Sequence, residues 1–81
     1  MELKNKAIVI TGAASGIGRA MARRFRQEGA GKLVLADVDA AGLDAVAAET
    51  DGLAVVTDVS DEAAVTRLIE TAEHECGHID L

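Results

Sequence analysis

Three groups of residues in this sequence could do chemistry together. The first is Thr11-Gly12-Ala13-Ala14-Ser15-Gly16-Ile17-Gly18, whose glycines follow a G-x-x-x-G-x-G spacing between a β-branched run and a helical pattern. Glycine lets the backbone turn tightly and approach a ligand closely, and a helix N-terminus offers unpaired N–H groups and a positive dipole end. Such a turn suits a phosphate or pyrophosphate. It is not a nucleoside-triphosphate loop, because Arg19 and Ala20 follow the glycines rather than Lys-Ser/Thr. It is not a G-x-G-x-x-G turn either, since a third glycine counted from Gly16 would fall at Met21. The second and third groups are the carboxylates Asp37 and Asp58, each following a short apolar run. An ionised carboxylate only accepts hydrogen bonds, which matches the paired hydroxyls of a ribose.

These residues act as a set only if the chain gathers them. Lys6–Thr11 is apolar and β-branched and reads as a strand buried on both faces. From Gly16 to about Gly29 the period becomes helical, with Ile17, Met21 and Phe25, and Ala20 and Ala22 beside them, as one apolar stripe, and with Met21 and Phe25 expected in the core. Leu33–Ala36 is a second strand, stopping at Asp37. Asp39 can cap a second helix on Leu43, Val46 and Ala47, weakened by Gly42, which costs about 1 kcal/mol relative to alanine. Asp51-Gly52 ends it, and Leu53–Thr57 is the third strand, followed by Asp58-Val59. Ser60 is the expected cap of a third helix along Val65, Leu68, Ile69, Ala72 and Cys76, with Gly77 as its stop. Ile79-Asp80-Leu81 reads as the opening of a fourth strand.

Strands alternating with helices imply βαβ units, a parallel sheet and right-handed crossovers. The expected fold is α/β, a partial Rossmann-type doubly wound sheet of three strands in the order 3-2-1 with three helices. The first two helices should cover one face and the third the other. Open parallel sheets bind ligands at the carboxyl ends of their strands, where the glycine turn, Asp37 and Asp58 all fall.

Composition narrows the function. The 81 residues allow one small domain or part of a larger one, read here as a single partial domain over 1–81. There is no proline, tryptophan or tyrosine, and only one phenylalanine, so the core should be thin. The lone Cys76 excludes an internal disulfide and fits a reducing compartment, so a cytoplasmic location is expected. No unbroken apolar run exceeds four residues, as at Ala7–Ile10, which leaves no membrane span. The charged start, Met1 to Lys6, leads into no signal-peptide h-region. Residues 1–35 hold seven Lys/Arg against two acidic residues, and 36–81 hold one against twelve. The basic half does not imply nucleic acid: Arg19, Arg23, Arg24 and Arg26 read as the solvated face of one helix, and no aromatic platform could stack bases. His74, Cys76 and His78 do not form a metal site, because helical residues two apart point about 200° away from each other.

Taken in order, Thr-Gly-x-x-x-Gly-x-Gly opening the first helix, the acidic end of the second strand and Asp58-Val59 ending the third resemble the N-terminal half of a short-chain dehydrogenase/reductase. The closing Gly77-His78-Ile79-Asp80-Leu81 resembles that family's entry into its fourth strand, so the likeness runs from Lys6 to Leu81. The resemblance implies an oxidoreductase that moves hydride between a nicotinamide cofactor and an alcohol or carbonyl substrate. It implies that Gly12, Gly16 and Gly18 form the phosphate turn, and that Ser15 and the Ile17 N–H contact the pyrophosphate. Asp37 would hold the adenosine ribose, and Asp58 and the Val59 backbone the adenine. NAD rather than NADP is the expected cofactor, because Asp37 stands where a 2′-phosphate would lie and Val38, Asp39 and Ser15 offer no offsetting cation. The family's proton transfer uses a tyrosine, with a lysine four residues on, and this chain has no tyrosine. No catalytic residue is therefore assigned, and the chain alone should not turn over. The other reading of the residues is a stand-alone nucleotide-binding module without a reaction. In the family's order the fourth strand pairs beside the first, so an unpaired first strand should self-associate and a homo-oligomer is expected.

Overall fold

The computed structural model describes residues 7–76. Six elements alternate along them: β1 (Ala7–Thr11), α1 (Gly16–Gln27), β2 (Lys32–Asp37), α2 (Ala40–Thr50), β3 (Leu53–Val56) and α3 (Glu62–Cys76). The strands form one parallel sheet in the order β1-β2-β3, which is the expected 3-2-1 order read from the opposite edge. Ile8 pairs with Leu33 and Ile10 with Leu35, while Leu35 pairs with Ala54 and Asp37 with Val56. Lys6 as a strand residue, Gly77 as a helix stop and the strand at Ile79–Leu81 lie outside the described residues.

Both faces of the sheet are covered, as expected of parallel strands. On one face Ile8, Ile10, Leu33 and Leu35 pack with Ala22 of α1 and Leu43 and Val46 of α2. On the other, Val34 and Ala36 meet Leu68 and Ala72 of α3. The alternation along β2 follows from the strand's period of two, which sends Leu33 and Leu35 one way and Val34 and Ala36 the other.

Several local expectations are corrected. In α1 Ala22 is buried and Phe25 partly buried, as the stripe requires, but Gly18 is buried too, Ala20 is exposed, Ile17 is 79% exposed and Met21 42%. The glycine turn sets this rotation. A Cβ on Gly18 would sit 2.1 Å from the Gly12 carbonyl oxygen, so the helix backbone lies directly against the turn. At about 100° per residue, facing Gly18 inward carries Ile17 and Met21 toward solvent. The cap of α3 is Asp61, not Ser60: the Asp61 carboxylate accepts from Ala63 N at 3.0 Å and Ala64 N at 3.4 Å. Ser60 is drawn back onto Asp58 instead. In α3 the inward residues are Ala64, Leu68 and Ala72, while Ile69 is exposed. The third strand stops at Val56, and Thr57 is buried with its hydroxyl donating to Val55 O.

The arginines of α1 are not simply a solvated face. Arg19 and Arg23 both grip Glu49 near the end of α2, Arg19 through Nε at 3.0 Å and Nη2, Arg23 through two bonds of 3.1 Å. Arg26 donates to Thr50 O at 2.6 Å, a carbonyl that the end of α2 leaves unpaired, and to Ala30 O at 2.8 Å beyond α1. Arg24 pairs locally, with Glu28 at the C-cap of α1.

Candidate functional site

The glycine turn is held by its own backbone. Gly12 has φ of +65°, the left-handed region that side chains disfavour, and its carbonyl accepts from Ser15 N at 3.0 Å and Ser15 Oγ at 2.6 Å. Ser15 Oγ also accepts from Gly18 N at 3.1 Å, so this residue is the N-cap of α1. Ala13 N donates to Ala36 O at 3.0 Å, fastening the turn to the end of β2. Among the described residues, the N–H groups of Gly16 and Ile17 have no partner. They stand at the positive end of the α1 dipole.

The glycines divide into two kinds. Gly18 cannot carry a side chain, because the turn's backbone occupies the space. Gly16 could: a Cβ there would meet nothing within 4 Å. The fold does not itself require glycine at Gly16. What the missing side chain leaves is open room above two unpaired N–H groups, a cradle that a side chain would begin to fill.

Asp37, half-buried at the end of β2, reaches across to this turn. Its Oδ2 accepts from Ala14 N at 2.9 Å and its Oδ1 from Asp39 N at 3.1 Å. The N–H bond from Asp39, followed by those from Ala14 and Val38, holds the carboxyl below its ordinary range against the opposing effect of desolvation. Each oxygen retains further acceptor capacity. Asp58, after β3, accepts from Ser60 N at 2.9 Å and Ser60 Oγ at 2.6 Å, both on Oδ1. The Ser60 hydroxyl first, then its N–H, lowers the Asp58 pKa, and Oδ2 has no partner among the described residues. Asp37 and Asp58 are both carboxylates at working pH.

A crevice of about 140 Å³ opens between these groups, lined by Gly12, Asp37, Val38, Thr57, Asp58 and Val59. Four of the residues singled out in the sequence line it: Gly12, Asp37, Asp58 and Val59. Ser15, Gly16 and Ile17 lie at the start of α1 and do not line the crevice, while Gly18 is buried, where it packs the helix against the turn. Sequence reasoning missed Val38, which is 65% exposed beside Asp37, and Thr57, whose N–H donates to Asp37 O at 2.9 Å. Their positions at the ends of the second and third strands were the available signal. None of the lining residues is basic.

A larger cavity of about 300 Å³ lies at the other end of the strands, lined by residues that include Arg26, Lys32, Asp51 and Glu75. Volume does not make it the better site. Its charges are mixed, Arg26 is already engaged by backbone carbonyls, and the glycines that line it, Gly31 and Gly52, do not open a helix. Among the described residues there is no cluster of three metal-ligating side chains and no helix long and apolar enough to cross a membrane.

Comparison with known proteins gives the same picture. The 1-deoxy-11-beta-hydroxypentalenate dehydrogenase of Streptomyces exfoliatus is 45% identical over 86 residues, covering all of this chain and 31% of that protein. The meso-2,3-butanediol dehydrogenase of Serratia marcescens is 44% identical, again over the whole chain and 33% of the relative. Among solved structures, the 3-ketoacyl-(acyl-carrier-protein) reductase of Brucella melitensis, complexed with NADH, superposes with a TM-score of 0.91 at 45% identity, over 96% of this chain and 32% of that one. The chain thus spans about a third of the length of these proteins. The family model for short chain dehydrogenases matches residues 6–81: the chain belongs to the short chain dehydrogenase family.

Proposed function

We propose that this chain is the cofactor-binding part of an oxidoreductase that transfers hydride between NAD(H) and a small alcohol or carbonyl substrate. One observation carries the proposal: a glycine turn, whose Gly12 lines the crevice and whose helix start leaves two N–H groups unpaired among the described residues, stands beside two strand-end carboxylates that line the same crevice. The names of the relatives, a butanediol dehydrogenase and a reductase complexed with NADH, agree with this chemistry. The location is taken to be cytoplasmic and the working state a homo-oligomer.

Bound here, the cofactor would supply the hydride donor or acceptor. The residues of this chain do the holding. The N–H groups of Gly16 and Ile17 receive the pyrophosphate at the positive end of α1, with the Ser15 hydroxyl beside them. The free lone pairs of Asp37 accept from the two ribose hydroxyls, and the unpartnered Oδ2 of Asp58 accepts from the amino group of adenine beside the Val59 backbone. Val38 and Val59 present apolar surface to the base. Asp37 selects NAD, because a 2′-phosphate would face its charge with no basic lining residue to offset it. With no tyrosine in the chain, none of its residues is assigned the family's proton transfer.

Titration of the 81-residue chain with NADH, followed by cofactor fluorescence, tests this directly. Saturable binding that ADP-ribose competes away is expected, because the crevice addresses the ADP-ribose portion. Linear, non-saturating signal would remove the proposal. The absence of tryptophan and tyrosine keeps protein fluorescence out of the measurement.

A further inference from the structure

Gly42 is the residue of α2 that the cofactor site leaves unexplained, since glycine weakens the middle of a short helix. Its surroundings give it a purpose. A Cβ on Gly42 would lie 2.5 Å from Asp39 Oδ2, 3.1 Å from Asp39 Cγ and 3.1 Å from the Ala14 Cβ. Such a Cβ would be a wedge between the cap of α2 and the glycine turn. Asp39 cannot simply swing its terminal oxygen aside, because Cγ is also too close and Oδ1 is held by Gly42 N at 3.0 Å. Ala14 is anchored too, through its own N–H and through the bond from neighbouring Ala13 to Ala36 O.

Both residues that the wedge would strike hold the Asp37 carboxylate through their N–H groups. Ala14 N donates to Oδ2 and Asp39 N to Oδ1. We propose that Gly42 is a positioning residue for cofactor binding: by letting α2 close onto the glycine turn, it brings the Ala14 and Asp39 amides together on Asp37 and fixes that carboxylate for the ribose. This rests on Asp37 being the ribose ligand, as proposed above. The other charged groups near the crevice do not substitute for these bonds. Asp39 and Asp58 are like-charged neighbours, and the nearest cation of α1 at the turn, Arg19, is tied to Glu49.

The test is Gly42→Ala in the 81-residue chain, with two readouts: NADH affinity, and the titration of the Asp37 carboxyl followed by carbon NMR. We expect NADH binding to weaken about tenfold and the Asp37 pKa to rise toward its ordinary value. Asp39→Ser keeps a capping oxygen but removes Cγ and Oδ2, so Gly42→Ala/Asp39→Ser should recover most of both changes. A purely structural role for Gly42 would lower stability without moving the Asp37 titration. A folded Gly42→Ala chain with an unaltered Asp37 titration overturns the proposal. So does a Gly42→Ala chain that fails to fold and is rescued neither by Asp39→Ser nor by Ala14→Gly, since the wedge would then not be local. If the unaltered chain binds no NADH while Gly42→Ala still shifts Asp37, the positioning holds and the ribose reading fails.

Discussion

Replacing Asp37 by asparagine keeps the side chain's shape and removes its charge, which separates cofactor choice from cofactor binding. A 2′-phosphate on the ribose held by Asp37 would stand about 4 Å away, where each pair of unit charges repels by about 4 kcal/mol at an effective dielectric of 20 and about 1 kcal/mol in bulk water. The crevice is open and Asp37 only half-buried, so the repulsion falls between these limits and toward the lower. Salt at 0.1 M has a screening length of about 10 Å and removes little of it at contact. With 1.4 kcal/mol per factor of ten, the unaltered chain should prefer NADH to NADPH by between about fivefold and several hundredfold. Asp37→Asn should collapse this ratio to within about threefold of unity, while weakening NADH itself because one ribose acceptor is lost. The asparagine can accept through only one of its two terminal atoms, so either Ala14 N or Asp39 N loses its partner, at about 1 kcal/mol of folding stability. Parallel fluorescence titrations with NADH and NADPH measure the ratio, and a denaturant curve measures the stability. NADPH binding as tightly as NADH in the unaltered chain, or a ratio unmoved by Asp37→Asn, would refute the reasoning.

Other consequences follow from the same geometry. Gly18→Ala should destabilise the chain by about 2 kcal/mol or more in chemical denaturation, because its Cβ meets turn backbone, whereas Gly16→Ala should fold normally and lose NADH affinity. Glu49 is held at a pKa of about 2, well below its ordinary 4.5, by hydrogen bonds from Arg19 and then Arg23. The folded state therefore favours the ionised form. The tie between α1 and α2 contributes fully above pH 4.5 and is lost as pH falls from there through about 2, so Glu49→Gln should flatten the acid limb of a stability–pH profile. The chain by itself should show no substrate-saturable dehydrogenase turnover, having no tyrosine for the family's proton transfer.

Much of this was legible in the sequence because it rests on local chemistry. Buried parallel strands announce themselves as apolar runs, glycines and aspartates at their ends mark turns, and both signals lie within a few neighbouring residues. The parts that were not legible depend on two elements meeting. The rotation of α1 is fixed by Gly18 pressing on Gly12, so the Ile17–Met21 stripe, reasonable for an isolated helix, faces outward. Arg19 and Arg23 look like a solvated face until α2 places Glu49 opposite them. Ser60 has the right type for a cap, but Asp58 captures it and leaves the role to Asp61. Gly42 looks like a flaw in a helix until Ala14 and Asp39 are seen on either side of it.

The central claim is that the crevice at the carboxyl ends of the strands, and not the larger cavity at their other end, receives the dinucleotide. Amide chemical shifts of the chain, followed residue by residue as NADH is added, decide it. Saturable shifts should gather at Gly12, Ser15, Gly16, Ile17, Asp37, Val38, Asp58 and Val59. Shifts gathered instead at Gly31, Lys32, Asp51 and Gly52, or none that saturate, would contradict it.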